Sequence, residues 1–219
     1  DLVHEIRNPL ASLKSASEIL QDTNNSDQRL KLLNILNHDV QRIERLITDY
    51  SQMLKDEVAL SKEKMKKINI EPIIQSVVDD YNSIYKVKKD IKINYEDDGK
   101  KEYSINGIEN RIEQMIANLL DNSISFTEKG GKIIVNISIS SNRKITVKII
   151  DEGQGFKEKD TSKIFRRFYS NRPDKFGEHS GLGLNIVKNL VELHDGKILA
   201  SNRPNNKGAI IEISFPSMQ

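Results

Sequence analysis

The stretch from Leu33 to Leu54 reads LNILNHDVQRIERLITDYSQML, and it determines the first half of the fold. Its apolar side chains recur in alternating steps of three and four residues, while polar and charged residues fill the other positions. These apolar positions are Leu33, Leu36, Val40, Ile43, Ile47, Tyr50 and Leu54. The spacing predicts a long helix with one apolar stripe.

A shorter helix is predicted ahead of this one. Its apolar positions follow the same steps and are Val3, Ile6, Leu10, Leu13 and Leu20. The polar residues 22–27 between the two patterns are of the types that form turns and begin helices. The two helices are therefore expected to form an antiparallel hairpin. Additional apolar residues at Leu30, Ile35 and Leu46 need a further surface, so we expect a second copy of the chain to complete a four-helix bundle as a homodimer.

The composition excludes several classes of protein. The chain has 219 residues, 34 basic and 32 acidic side chains, and no cysteine, which excludes disulfides, thiolate nucleophiles and cysteine-bound metals. Its basic residues form no stripe, so nucleic acid is not an expected partner. No apolar run approaches the roughly 18 residues of a membrane span. Because the chain opens at Asp1 directly inside an apolar pattern, we expect it to be a fragment of a longer protein.

The rest of the chain mixes the helical period with the strand period. Helices are predicted to begin near Pro72 and to run from Asn106 to Phe126. Strands are predicted where apolar residues occupy every second position, at residues 133–139, 145–149 and 209–215. Helices mixed with strands that we expect to be antiparallel are typical of an α+β domain with two layers, in which helices cover one face of a sheet. We therefore predict two domains, residues 1–65 and 66–219.

The first chemically informative run is HEIRNPL, residues 4–10. His4 and Asn8 lie four residues apart and share a helix face beside the apolar stripe, with the imidazole toward solvent. Pro9 is expected to bend the helix at this turn. A neutral imidazole can attack phosphorus when an acceptor such as Glu5 holds the proton on its other nitrogen. An ordinary surface histidine would fit the same run.

A polar stripe is predicted on the helix that ends at Phe126. It consists of Arg111, Gln114, Asn118, Asn122 and Ser125. Carboxamide oxygens such as those of Asn118 and Asn122 suit a hard cation such as Mg²⁺, which prefers oxygen ligands. A solvated helix face has the same composition, so the stripe alone leaves both interpretations open.

Two segments that contain glycine are candidates for ligand binding. Asp151 ends a predicted strand and is followed by Gly153 and Gly155, so the backbone can approach a flat ligand while the carboxylate accepts hydrogen bonds from an amine. Gly181 and Gly183 precede an amphipathic helix, whose first amide groups can attract an anion. Cationic residues between the two segments are expected to form a mobile lid: Lys163, Arg166, Arg167, Arg172 and Lys175. Most glycine turns of this kind bind nothing.

Taken in order, these segments resemble the transmitter region of bacterial sensor histidine kinases. The matches are to the histidine box at residues 4–10, the N box from Asn118 to Asn122, the first glycine box at Asp151, Gly153 and Gly155, the F box at 164–169 and the second glycine box at 181–184. Residues 1–65 are similar to the dimerisation and histidine phosphotransfer domain. Residues 66–219 are similar to the two-layer α/β sandwich that binds ATP in histidine kinases, gyrase, Hsp90 and MutL. Residues 125–126 and 168–173 resemble the ChvG/ExoS branch.

The resemblance implies a role for each matching residue. His4 would take the γ-phosphoryl group of ATP, with Glu5 as its base, and pass it to an aspartate of a response regulator receiver domain. Asn8 would position water when that regulator is dephosphorylated. In the ATP site, Asn122 would hold Mg²⁺, Asn118 would lie beside the phosphates and Asp151 would bind the adenine amine. The other implied nucleotide contacts are Phe126, Gly153, Gly155, Arg167, Gly181, Leu182 and Gly183.

The chain departs from the family pattern at two positions, and two other functions stay open. A phosphate-facing lysine is usual where Ser125 stands, and an acid is usual where Arg166 stands. An ATPase of the gyrase, Hsp90 and MutL kind activates water with a glutamate where this chain has Asn118, which argues against hydrolysis. A non-catalytic signalling scaffold that binds nucleotide without turnover is favoured only by the missing lysine.

Overall fold

The computed structural model describes residues 2–60, 63–100, 102–158, 160–169, 181–204 and 207–218. The chain forms two compact units. One consists of Asp1–Lys62 together with Arg166–Leu182, and the other of Glu63–Phe165 together with Gly183–Gln219. The first unit contains the helical hairpin, and the second contains the sheet.

The hairpin is built from two long helices, α1 (Leu2–Asp22) and α2 (Ser26–Leu60). Asn25 begins α2, because its side-chain oxygen accepts hydrogen bonds from two amide groups of the following turn at 3.0 Å each. The Arg29 guanidinium donates to the Leu20 carbonyl at the end of α1 at 3.2 Å. The turn therefore satisfies backbone groups that helix ends leave without partners.

The hairpin buries a different row of α2 from the one predicted. Its buried residues are Leu32, Asp39 and Leu46 on α2, at heptad spacing, and Pro9 and Ala16 on α1. The predicted stripe is instead partly exposed: Leu33, Val40, Ile47 and Leu54 are 44–50% accessible, as are Val3 and Leu10 of α1 at 58% and 51%. Leu46, which we expected to need a further surface, is buried inside the hairpin. Both differences have one reason: α2 carries two apolar rows, and a single partner helix covers only one of them.

Several large apolar side chains consequently remain accessible along the hairpin. Besides that predicted stripe, Ile19, Leu30 and Ile35 are 46%, 61% and 44% accessible. The apolar character is confined to rows rather than spread around the helix. In the described part of the chain, no helix has the length and apolarity needed to cross a membrane.

The second unit contains a five-stranded sheet, a two-stranded sheet and three helices. Its elements are β1 (Lys66–Asn69), α3 (Ile70–Lys89), β2 (Lys92–Asp97), β3 (Ser104–Gly107), α4 (Glu109–Phe126), β4 (Lys132–Ile139), β5 (Lys144–Asp151), a 3₁₀ helix (Thr161–Phe165), α5 (Gly183–Leu193), β6 (Lys197–Asn202) and β7 (Ala209–Pro216). The large sheet has the order β2-β4-β5-β7-β6, and β1 pairs with β3 in the small one. This architecture confirms the predicted α+β fold with two layers.

The core lies between one face of the large sheet and the three helices. Alternate residues of the central strands are buried, including Ile133, Val135 and Ile137 in β4 and Val147 and Ile149 in β5. The helices contribute apolar faces whose buried members include Ile70, Ile73, Ile74, Val78, Ile112, Met115, Ile116, Leu119, Leu120, Ile124, Val187, Leu190 and Val191. Burial of alternate residues matches the period of two read from the sequence.

Two local expectations about this unit were wrong. The helix predicted from Asn106 begins at Glu109, because residues 104–107 form β3 and pair antiparallel with β1. The sheet is also not purely antiparallel, since β2 runs parallel to β4. The chain passes through α4 between β2 and β4, and a helix is the usual connection between two parallel strands.

His194 connects the end of α5 to the beginning of α4. Its ring is 3% exposed, Nδ1 lies 2.7 Å from the Leu190 carbonyl oxygen, and Nε2 accepts a hydrogen bond from the Ile108 amide at 3.1 Å. Ile108 precedes α4 and offers no side-chain cap, so the imidazole takes that role. Burial lowers the pKa of His194, and the neutral ring is the form that can accept from Ile108.

Candidate functional site

The first candidate surface is the polar side of α4. Asn118 and Asn122 are half-buried and lie one turn apart. The Asn118 carboxamide oxygen is 3.7 Å from the point where a Cβ atom on Gly183 would lie, and Gly183 is the first residue of α5. The structure therefore brings the N-terminus of α5 next to Asn118. Amide groups at a helix N-terminus attract phosphate oxygens, and a carboxamide oxygen can bind a cation beside them.

A magnesium ion at this surface would need most of its ligands from elsewhere. Within the described ranges, no three histidine or acidic side chains gather in a group that could hold a metal. Mg²⁺ usually keeps several waters and takes one or two protein ligands together with substrate phosphates. The donor set around Asn122 fits a cation that arrives with a nucleotide.

The second candidate surface is the carboxyl end of β5, where Asp151 is 5% exposed. Its Oδ1 accepts hydrogen bonds from the amide groups of Gly153 at 2.9 Å and Ala209 at 3.0 Å. Burial raises the pKa of the Asp151 carboxyl, while these two amides, Arg203 and Ser123 oppose the rise. The carboxylate is thus held in one orientation by the backbone, which suits the recognition of a ligand amine.

The loop after Asp151 can exist only with small residues at two positions. A Cβ atom on Gly153 would lie 2.9 Å from the Phe126 carbonyl oxygen, so the loop passes directly over the end of α4. Gly155 has a φ of 74° and a neighbouring oxygen of Asn202 at 2.7 Å from any Cβ atom. Phe126, Asp151 and Gly153 therefore lie close together, and their shared role toward a nucleotide stays a prediction.

Asn202 is a residue of this loop region that sequence reasoning missed. Its carboxamide accepts from the Phe156 amide at 2.6 Å and donates to the Phe156 carbonyl at 2.9 Å, so it holds the loop to β6. Ser123 was missed as well, although it directly follows the predicted Asn122 on α4 and hydrogen-bonds to Asp151. No local pattern marks either residue, because the partners are distant in sequence.

The predicted cationic lid is only partly described. Lys163 lies in the 3₁₀ helix, whose Ile164 and Phe165 are buried. The beginning of the segment is therefore anchored to the core, whereas we expected it to belong to a mobile lid. Phe165 is held further by Asn185, which donates to its carbonyl at 2.9 Å. Arg172 and Lys175 lie outside the described residues.

Three predicted nucleotide contacts belong to the segment 166–182, which groups with the helical unit. Arg167 is exposed, whereas Leu182 is 1% exposed. Gly181 has a φ of 72°, and a Cβ atom there would lie 2.7 Å from the backbone of Phe168. The close approach explains the glycine at this position; the roles of the three residues toward a nucleotide stay predictions.

The histidine run lies on α1 with His4 and Asn8 exposed. The Glu5 side chain is directed toward α2, where one of its carboxylate oxygens lies 3.5 Å from a nitrogen of the Arg42 guanidinium. Arg42 is a third missed residue, and it becomes a neighbour of the run only through the hairpin. The imidazole is accessible to a reactant, as the sequence predicted from its position beside the apolar stripe.

Arg111 is buried, although the sequence pattern placed it in the polar stripe of α4. The residue is 6% exposed, and its guanidinium binds the carboxylate of Glu63 with contacts of 3.0 Å and 2.9 Å. A third contact of 3.0 Å joins Arg111 to Gln114. The polar stripe is therefore divided, with an ion pair at its beginning and the two asparagines further along.

Two family models match the chain. The model described as "Histidine kinase-, DNA gyrase B-, and HSP90-like ATPase" matches residues 107–219, and the model described as "His Kinase A (phospho-acceptor) domain" matches residues 1–59. The first covers Asn118, Asp151 and Gly183, and the second covers His4. The motifs read from the sequence therefore fall within the matched segments.

Similar proteins of known type support the same family. The sensor protein ChvG of Rhizobium meliloti (strain 1021) is 36% identical over 98% of this chain, which covers 38% of that protein. A solved catalytic domain of the histidine kinase ThkA is 26% identical, with a TM-score of 0.61 over 71% of this chain and 97% of that domain. ThkA in complex with the response regulator TrrA has the same fold at 24% identity, with a TM-score of 0.67 over 99% of this chain and 60% of that one.

The chain thus spans about two fifths of the length of the curated relative ChvG. Its two matched segments have the order expected from the resemblance, with the phospho-acceptor domain first and the ATPase domain second. The predicted relationship to the ChvG branch is also confirmed. The chain therefore belongs to the sensor histidine kinases within the histidine kinase-, DNA gyrase B- and HSP90-like ATPase family.

Proposed function

We propose that this chain is the catalytic portion of a two-component sensor histidine kinase. It transfers the γ-phosphoryl group of ATP to His4 and then to an aspartate of a response regulator receiver domain. The observation that carries the proposal is the presence, in one chain, of an exposed histidine in a phospho-acceptor domain and an oriented buried carboxylate, Asp151, in an ATPase domain. An ATPase alone has no use for the first of these features.

The nucleotide would be held by the two surfaces that meet along α4. Asp151 binds the adenine amine, with Gly153, Gly155 and Phe126 forming the loop and helix end around it. Asn118 and the first amides of α5 at Gly183 bind phosphate oxygens. Asn122 contributes an oxygen to Mg²⁺, which neutralises phosphate charge when it is bound. The family resemblance alone assigns Arg167, Gly181 and Leu182 as further nucleotide contacts.

The phosphoryl transfer itself asks for a nucleophile, a base and charge stabilisation. A ring nitrogen of His4 forms a bond to the γ-phosphorus, and the bond from phosphorus to the bridging oxygen breaks, so ADP leaves. Glu5 accepts the proton of the other ring nitrogen. In the next step a receiver aspartate displaces the imidazole, and the phosphoryl group moves to its carboxylate. When the chain dephosphorylates the regulator, Asn8 orients the attacking water.

Labelling with ATP distinguishes this proposal from its two alternatives. The chain is incubated with Mg²⁺ and ATP that is labelled at the γ-phosphate, with ATP labelled at the α-phosphate as the control. We expect protein-bound label only from the γ-position, lost in acid and stable in alkali as a phosphoramidate is. Free phosphate without labelled protein would favour an ATPase, and neither product would favour a nucleotide-binding scaffold.

The response regulator is proposed as partner from the family of the chain, and ThkA has been solved with its regulator TrrA. Placement in the full protein is proposed on the same basis. Because the chain covers 38% of ChvG, a sensor protein, we propose that it is the cytoplasmic portion of an inner-membrane protein. A full reading frame without any apolar run of about 20 residues would contradict this placement.

The homodimer is proposed from the accessible apolar row of α2. Val40 and Ile47 are 45% and 50% exposed and continue the row that the hairpin leaves uncovered. A four-helix bundle made from two hairpins would cover it. Sedimentation should therefore give twice the chain mass of 25.0 kDa.

The Ile47→Asp substitution is expected to shift the sedimenting species to the monomer mass, because a carboxylate in an apolar bundle core is strongly unfavourable. The substitution Gln41→Glu, on the exposed polar side of the same helix, is the matched control and should leave the dimer intact. A monomeric parent chain, or a dimer that is insensitive to Ile47→Asp, would contradict the proposed bundle.

A further inference from the structure

The second unit is attached to the connection from the helical hairpin at one buried ion pair. Glu63 is the first residue of that unit, and Arg111 lies in the first turn of α4. The guanidinium contacts both oxygens of the Glu63 carboxylate, with Nε to Oε2 at 3.0 Å and Nη2 to Oε1 at 2.9 Å. The Arg111 side chain is 8% exposed and that of Glu63 is 25% exposed.

This ion pair is more specific than a surface contact. A planar fork matched to a carboxylate fixes both distance and orientation, which a lysine at the same place would not do. Gln114 accepts from the remaining guanidinium nitrogen at 3.0 Å, and Asn110 approaches Glu63 at 3.4 Å. The neighbouring pair Lys66 to Glu109 has a similar distance of 3.3 Å, but its side chains are 63% and 55% exposed.

The pair determines where the connection becomes part of the unit. Downstream of Glu63, the next firm attachment is β1, whose Lys66 pairs with Gly107 of β3. If the pair were absent, Glu63 would no longer be held to α4, and the second unit would be attached only from the beginning of β1. The helix α4 would not move, because Ile112 and Met115 and the residues that follow are packed in the core.

We propose that Glu63 and Arg111 are positioning residues for phosphoryl transfer, and that they act by fixing the first residue of the second unit, Glu63, to α4. The proposal rests on the proposed function, since a histidine kinase must bring ATP held in one unit to a histidine in the other. A shorter and more constrained connection raises the effective concentration of one tethered group at the other. It also limits the orientations in which they meet.

The expected result separates transfer from nucleotide binding. The substitutions Glu63→Gln and Arg111→Lys each remove the charged fork but keep side chains of similar size. In the full 219-residue chain, we expect each to lower the autophosphorylation rate at saturating ATP by about three- to tenfold, as lengthening a tether does. The KM for ATP should change by less than about twofold, because α4 keeps its place in the core.

Control variants test whether the fork itself is responsible. Lys66→Met breaks the adjacent exposed pair and should leave the autophosphorylation rate at the parent value. The double substitution Glu63→Arg with Arg111→Glu restores opposite charges and should recover part of the rate that either single substitution loses. If Arg111→Lys lowers the thermal midpoint too far for assay, Glu63→Gln alone decides, since Arg111 then keeps Gln114 as a partner.

Three outcomes would overturn the inference. Single variants that label as fast as the parent chain would show that the fork does not position the unit. A rise in KM that matches the fall in rate would assign the pair to the ATP site instead, and a loss of rate explained by the unfolded fraction would assign it to stability alone. A parent chain that forms no acid-labile label would instead contradict the proposed function.

Discussion

The chain with His4→Gln is expected to take up no acid-labile label from γ-labelled ATP, while its affinity for ATP stays within about twofold of the parent chain. A carboxamide nitrogen has a delocalised lone pair and cannot attack phosphorus as a neutral imidazole does. Because His4 is exposed and lies in the other unit from Asp151, the substitution should change the free energy of unfolding by less than about 0.5 kcal/mol.

His38→Gln is the matched control for this prediction. His38 is also on the hairpin, in α2, and its side chain is 46% exposed. The control should label at the parent rate, so that any effect common to both variants can be assigned to loss of a surface histidine. Undiminished labelling of His4→Gln would contradict the assigned phosphorylation site, and the labelled peptide would then identify another one.

The Asp151→Asn variant is expected to bind ATP about 100-fold more weakly, which corresponds to roughly 3 kcal/mol. The amides of Gly153 and Ala209 both donate to the inner side of the carboxylate, so the oxygen of an asparagine must take that position. Its NH₂ group then points where the second carboxylate oxygen was, and it presents donors to the adenine amine. Two opposed donors, both desolvated, replace a charge-assisted hydrogen bond.

Titration calorimetry with ATP and Mg²⁺ measures this loss, with Asp195→Asn as the control. Asp195 is exposed and has a φ of 54°, a conformation that asparagine tolerates well. The thermal midpoint of each variant shows whether the fold is retained. Unchanged affinity in Asp151→Asn would remove the carboxylate from the adenine site.

The raised pKa of Asp151 gives the same prediction a pH dependence. Burial makes the carboxyl take up a proton at a higher pH than an ordinary aspartate does, and the protonated acid loses acceptor capacity. ATP affinity in the parent chain should therefore fall as the pH decreases through that raised pKa. The Asp151→Asn variant should lack this acid limb, because an amide does not titrate in that range.

Much of the architecture could be predicted because it follows from local periodicity. The heptad steps of α2 predict the helix but not which of its rows is buried, whereas the alternation in β4, β5 and β7 reflects which faces are buried. The misses occurred where a partner is distant in sequence. The pairing of β1 with β3 takes residues 104–107 away from the predicted helix, and short strands of four residues carry too few positions to show a period.

The candidate site shows the same division between local and distant information. Asp151, Gly153 and Gly155 could be identified as candidate ligand-binding residues from one segment, because a strand end followed by glycines is a local feature. Asn202 in β6 and Ser123 in α4 could not be identified in this way. Their partners, Phe156 and Asp151, are distant in sequence and come close only in the fold. Arg111 was placed in the polar stripe by its helix position, and only the fold supplies Glu63 as its buried partner.

The sequence by itself determined the two helices of the hairpin, the strands β4, β5 and β7, the order of the motifs and the chemistry available at His4 and Asp151. These properties depend on residue type and short spacing, and both can be read along the chain. Only the tertiary structure decided which apolar row of α2 is buried, how Gly183 meets Asn118 and what Arg111 binds. The physical reason is that burial and ion pairing depend on the whole set of neighbours in space, which no local pattern contains.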